Sequence, residues 1–183
     1  MEWLYIIIAL IGILIIYVIC IYNSLVILRQ KVKNQWSQID VQLKRRSDLI
    51  PNLVETVKGY AKHEKETLQK VIEARNSYLA AGTLEAKMKA NGELSNLISK
   101  LFALSENYPE LKADTSFLKL QSDLKDTEDK IAYARQFYND IVMKFNAKIE
   151  TFPVNVVANL FKFEAREFFE AQEAEKETVH VKF

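Results

Sequence analysis

The stretch Asn34–Tyr60, NQWSQIDVQLKRRSDLIPNLVETVKGY, decides the fold. Every seventh residue from Trp36 reads Trp36, Leu43, Ile50, Val57, and every seventh from Ile39 reads Ile39, Arg46, Leu53, Tyr60. Seven of these eight side chains are apolar or aromatic. Steps of three and four put them on one stripe of an α-helix, which must be covered by partner helices. Arg46 is the exception. A guanidinium in that stripe is costly unless paired, so Arg46 reads as a buried structural polar residue with a carboxylate from a neighbouring helix beside it. Pro51 lacks a backbone N–H and costs about 3 kcal/mol inside a helix. The seven-residue phase nevertheless continues to Tyr60, which predicts a kink and not a stop.

Upstream, Trp3–Tyr22 is twenty residues without a charge, WLYIIIALIGILIIYVICIY. As a helix it is roughly 30 Å long, the thickness of a bilayer's hydrocarbon core, with Trp3, Tyr5, Tyr17 and Tyr22 placed for the headgroup level. A cleaved signal peptide would carry a basic start and a small-x-small site after the run, and neither is present. Residues 3–22 therefore read as a retained anchor. Residues 1–2 hold no Lys or Arg, whereas Arg29, Lys31, Lys33, Lys44, Arg45 and Arg46 follow the span. The positive-inside rule then predicts a single-pass protein of the bacterial plasma membrane, with a short extracytoplasmic terminus (1–2) and the bulk of the chain cytoplasmic. Arg45, in the Lys44-Arg45-Arg46 run, is a candidate contact to anionic lipid or a partner.

Downstream the same need for helical partners recurs. Gly59 and Lys62–Glu66 mark an end or sharp bend. A second helix places Leu68, Val71, Ile72, Arg75, Tyr78 and Leu79 on one face, and Gly82 suits a left-handed cap. Thr83 can cap a third helix, which has a soft spot at Asn91-Gly92 and ends before Pro109. After a connector over 107–115, closed by Asp114 or Thr115, Phe117, Leu124, Ile131, Tyr138, Phe145 and Phe152 recur every seven residues. This predicts a fourth helix of about 36 residues, near 54 Å, stopping at Pro153. Trp36, Tyr60, Tyr78 and Tyr138 fall at core spacing and read as packing. Residues 23–152 thus read as an up-and-down antiparallel four-helix bundle, giving an all-α protein behind an N-terminal transmembrane helix.

Residues 153–177 form an amphipathic and then acidic segment. In it Val156, Val157, Leu160 and Phe161 share one face, suited to headgroups, to the base of the bundle or to a neighbouring subunit. In the tail, 178–183, Val179, Val181 and Phe183 alternate with polar residues. A short strand able to add to another chain's edge would show that pattern.

Composition and motifs exclude several activities. Basic and acidic residues number 25 and 24, so no net charge draws nucleic acid. Cys20 is the one cysteine, so neither an intrachain disulfide nor a thiolate metal site can form. His63-Glu64-Lys65-Glu66 lacks the second histidine of a zincin, no Glu-x-x-His pair suits a di-iron bundle, and four glycines form no phosphate loop. No cofactor and no enzyme activity are expected.

YNSLV after the span, NQWSQIDVQLKRRSDLIPNLVETVKGYAKHEKETLQKVIEARN, YPELKADTSFLKLQSDL and FPVNVVANLF together resemble the LemA family, over nearly the whole chain. The resemblance implies a bacterial, membrane-anchored four-helix bundle without an agreed biochemical activity. Some members carry a lipoprotein cysteine before the YN pair. Cys20 resembles it, but Ile19 stands where such a site has a small residue. Some members are encoded near a membrane zinc metalloprotease, which makes such a protease a candidate partner. The expected function is a non-enzymatic scaffold or assembly protein, self-associating as a homo-oligomer, or alternatively an accessory subunit of a membrane enzyme.

Overall fold

The computed structural model describes residues 1–169. Six α-helices occur among them: α1 (Glu2–Tyr60), α2 (Lys65–Ala80), α3 (Leu84–Leu104), α4 (Pro109–Lys112), α5 (Thr115–Glu150) and α6 (Val154–Leu160), with a 3-10 turn at Ser105–Asn107. No strand occurs among the described residues, and Val179, Val181 and Phe183 lie outside them. Two compact units are built from these elements, one from 1–38 with 134–169 and one from 39–133. Both α1 and α5 contribute to each.

In the second unit the seam of α1 is covered as its spacing demands. Ile39, Leu43, Ile50, Leu53 and Val57 are all at most 1% exposed. Of these, Ile50, Leu53 and Val57 join Val71 of α2, Leu94 and Leu101 of α3, Leu111 of α4 and Phe117 and Leu124 of α5 in one apolar core. Cross-helix bonds give the chain directions. Arg75 and Tyr78 of α2 reach back to Ser47 and Asp40 of α1, while Lys87 and Asn91 of α3 meet Asp40 and then Arg46. Asp114 and Glu128, at and beyond the start of α5, meet Tyr60 and then Arg46. So α2 runs against α1, α3 with it and α5 against it.

Pro51 lies inside α1 without ending it. A proline at position 51 leaves the carbonyl of residue 47 without its helical donor, and Ser47 is fully buried. The Arg75 Nε of α2 donates to that carbonyl at 2.9 Å, which removes the penalty of an orphaned buried acceptor. Caps set the other boundaries. Thr83 Oγ1 accepts from Ala86 N at 3.2 Å, and Asp114 Oδ1 from Phe117 N at 2.8 Å.

Several expectations are corrected. Gly82 has no positive φ; Ala81 and Thr83 on either side of it are extended and make the turn. Asn91-Gly92 is a buried part of an unbroken α3, held by Arg46. Ile72 and Leu79 are exposed, because α2 turns Ala74 inward between Val71 and Tyr78 instead. Tyr60 is 40% exposed and donates its hydroxyl to Asp114 Oδ2 at 3.0 Å. Phe152 is 79% exposed, since α5 ends at Glu150. The connector after α3 contains α4 and the 3-10 turn.

In the first unit, residues 3–17 of α1 are exposed apart from the half-buried Gly12. The most apolar eighteen-residue window has a mean hydropathy of 3.2 and is only 6% buried. This window is uncovered, unlike the core helix of a soluble domain, and is long and apolar enough to cross a membrane. Further along, Ile21, Leu25 and Val32 are buried, as are Tyr138, Val142 and Phe145 of α5. Lys148 Nζ donates to Ser24 Oγ at 2.6 Å, and Trp36 meets Tyr138 edge-on at 6.0 Å. Here too α5 runs against α1.

Candidate functional site

Two constellations combine polar chemistry with burial. The first surrounds Arg46, which is 1% exposed. Its Nη1 donates to Glu128 Oε2 at 2.7 Å and to Ser95 Oγ at 2.6 Å; its Nη2 donates to the Asn91 carbonyl at 3.0 Å and to Asn91 Oδ1. Burial pulls the guanidinium below its ordinary pKa, and the Glu128 carboxylate opposes that pull. Arg46 thereby ties α1 to α3 and α5. A groove of about 710 Å3 adjoins it, with Ser95, Asn96 and Ser99 of α3 facing Gln121, Ser122 and Lys125 of α5. Arg45, beside it in the chain, is exposed in this second unit; the hydrogen bond from Lys130 holds the Asp126 carboxyl below its usual range, with Arg45 a lesser contributor.

The second constellation is in the first unit, where α5 ends beside the end of the apolar run. Val154, Val157 and Ala158 of α6 share one helical face, and the half-exposed Phe161 follows on it just past the helix end. Val157 and Ala158 are buried, and the Phe161 ring lies 4.8 Å from Tyr22. Val156 and Leu160 point away, 58% and 72% exposed. Of the face assigned from sequence only Val157 is buried; Phe161 is 47% exposed and meets Tyr22.

Lys162 closes α6 in the left-handed region, φ 54°. Lys162 N donates to the Asn159 carbonyl at 3.2 Å and Phe163 N to the Ala158 carbonyl at 2.9 Å, the paired bonds of a Schellman cap. Phe163 then turns inward, 5.8 Å from Tyr22 and 6.5 Å from Phe145, with the Arg29 guanidinium 5.1 Å from its ring centroid.

From Phe163 to Phe169 the chain runs without helix along α5, held by two asparagines. Asn146 donates to the Arg166 carbonyl and accepts from the Arg166 N–H, both at 2.8 Å. Asn139 does the same to Phe169 at 2.9 and 2.7 Å. Each amide thus satisfies both backbone groups of one residue. Tyr138 adds a bond from its hydroxyl to the Glu167 carbonyl at 3.0 Å, and burial raises its pKa. Phe169 ends the strap against Trp36 at 6.3 Å and Arg135 at 4.8 Å.

Sequence reasoning missed this strap. Its one signal is the pair Asn139 and Asn146, weak helix formers one heptad apart in an otherwise regular helix. Among the described residues no group of three His, Cys, Asp or Glu could hold a metal ion. Cys20 is exposed on α1, and His63 is an exposed residue lining a second groove of about 850 Å3 between the end of α1 and α2.

Over the described residues these features define an all-helical protein with one helix long and apolar enough to cross a membrane. Residues 35–183 match the LemA family, and the chain belongs to it. It is 28% identical over 155 residues to Protein LemA of Metamycoplasma hominis, covering 84% of this chain and 71% of that relative. It is also 25% identical over 179 residues to Magnetosome protein MamQ 2 of Paramagnetospirillum magneticum, and 24% identical over 179 residues to Magnetosome protein MamQ of Magnetospirillum gryphiswaldense. Each of these alignments covers 84% of this chain and 66% of the relative, so the chain spans just under two thirds of the magnetosome proteins.

Proposed function

We propose that the protein is a non-enzymatic, membrane-anchored scaffold, with a four-helix bundle as its body and α6 lying in the headgroup region. The observation that carries this reading is the continuity of α1. One unbroken helix begins as an exposed apolar rod and continues into packed, Arg46-centred structure. Exposed Phe152, Val156 and Leu160, beside the Tyr22 end of the rod, suit an interfacial helix. Relatives named both for LemA and for the magnetosome suit a structural module used in more than one assembly. The basic residues after the span favour a cytoplasmic body.

Crosslinking in native membranes, followed by size analysis, tests the scaffold. A ladder of one chain is expected. A single heterologous adduct would replace this reading with that of an accessory subunit, for which a membrane metalloprotease is the first candidate. A spin label at Leu160, in a Cys20→Ser background, should report headgroup depth in reconstituted bilayers, and full water exposure would remove α6 from the interface.

A further inference from the structure

The seven ion pairs formed between described residues all lie in the second unit. Lys148 and Lys162 take part in none of them. Lys148 Nζ is half-buried and donates to a neutral partner, Ser24 Oγ. An ammonium has three hydrogens, so this bond leaves donor capacity unused, and the Ser24 hydroxyl keeps its own hydrogen to donate. No carboxylate occurs on α1 from Trp3 to Ile39. The nearest acids in sequence to the two lysines, Glu150 and Glu164, are exposed and join no ion pair with a described residue.

Lys162 carries a second signal. It occupies a left-handed cap position that glycine fills without strain, yet the residue there is a cation. Strain retained at a local position points to a use for that side chain. On either side of it Phe161 and Phe163 touch Tyr22, and Phe152, Val156 and Leu160 stand exposed nearby in the chain.

We propose that Lys148, Ser24 and Lys162 bind the phosphate of an acidic phospholipid headgroup, with its acyl chains against Tyr22, Phe161 and the apolar run. Two cations without carboxylate partners among the described residues and one hydroxyl supply the donors, and the adjoining aromatic and aliphatic side chains supply the apolar wall. This site rests on the reading that α6 lies at the bilayer surface. A lysine near an anionic surface strengthens binding about five-fold, so phosphatidylcholine, with no net charge, is the natural contrast.

The full chain is reconstituted into phosphatidylcholine bilayers containing spin-labelled phosphatidylglycerol or spin-labelled phosphatidylcholine, and the motionally restricted fraction of each label is measured. Wild type should select the acidic label about five-fold or more. Lys148→Gln and Lys162→Asn should each reduce the preference, and the double variant should abolish it while unfolding like wild type in neutral micelles. Asparagine tolerates the left-handed region, so the cap survives. Equal association of both labels, or a preference unchanged in the double variant, overturns the site. Loss of selectivity on adding soluble inorganic phosphate, at ionic strength matched with chloride, would make it a phosphate site and overturn the lipid assignment. The Leu160 depth label separates the two claims. Headgroup depth without selectivity removes only the lipid site, whereas Leu160 in water removes the interfacial reading beneath it.

Discussion

The two units solve the same covering problem with different means. The second surrounds the seam of α1 with segments of four other helices, so apolar burial closes the core and even a guanidinium can be enclosed once Glu128, Ser95 and Asn91 accept from its two terminal nitrogens. The first has only α1 and α5 as long helices, and two helices leave one side of their seam open. That side is closed by α6 and by a strap of irregular chain, anchored through aromatic rings and two asparagine amides. Where helices are scarce, side chains that bond backbone take over from side chains that merely exclude water.

This contrast is strongest at Arg46. In the full chain, in detergent micelles, Arg46→Ala should cost about 3–5 kcal/mol, because it strands buried polar partners. Arg46→Leu should cost less, since leucine refills the space and the half-exposed Glu128 can take water. Denaturant unfolding of both variants checks this; equal, small losses would mean that the second unit does not depend on its buried charge.

For the strap, Asn146→Ala or Asn139→Ala each deletes two bonds to backbone, a loss of about 1–3 kcal/mol. Hydrogen exchange should accelerate at the Arg166 or Phe169 amide while Leu94 and Leu101 keep their protection. Equal acceleration in both places would erase the distinction between the units.

A smaller effect belongs to Tyr78, whose hydroxyl is pushed up to about 12, first by burial and then by the Asp40 carboxylate. An unfolded tyrosine titrates near pH 10. Below that pH the hydroxyl is neutral in both states and its contribution to stability is complete. As pH rises from about 10 towards 12, the unfolded chain loses the proton first, and the contribution is lost. The stability gap between wild type and Tyr78→Phe should therefore change only in that window, read by unfolding titrations at successive pH. The smallest effect is a gain. Lys162→Gly should stabilise the first unit by about 1 kcal/mol, seen as slower exchange at Phe163, while weakening selection of acidic lipid.

How much of this was legible varies with the physics involved. Heptads announce themselves because a buried stripe repeats with the helix, so α1 from Trp36 and α5 could be read from spacing, whereas the turn after Tyr60 was read from Gly59 and the polar run that follows, and α3 from its Thr83 cap and Pro109. Ile72, Leu79 and Phe152 misled, since apolar character does not say whether a partner is present to cover it. Arg75 was read as part of a helix face; its bond to the Ser47 carbonyl depends on a vacancy created by Pro51 in another helix. Short α4, at four residues, is too brief for any period to show. The strap was illegible because its fastening lies in backbone groups, which every residue has, and only the asparagines leave a trace.

Those two asparagines also act as a gauge of length. Seven residues of α-helix between Asn139 and Asn146 advance about 10.5 Å, and three residues of extended chain between Arg166 and Phe169 advance about 9–10 Å. The two rulers coincide at these marks because seven steps of one nearly equal three of the other. Losing one residue between Arg166 and Phe169 shifts the upper mark by a third of the interval and unseats a whole rung, whereas exchanging a side chain there leaves the backbone groups in place. Between the marks, at Glu167 and Phe168, the letters can change more readily than the count, while Phe169 is held by Trp36 and Arg135.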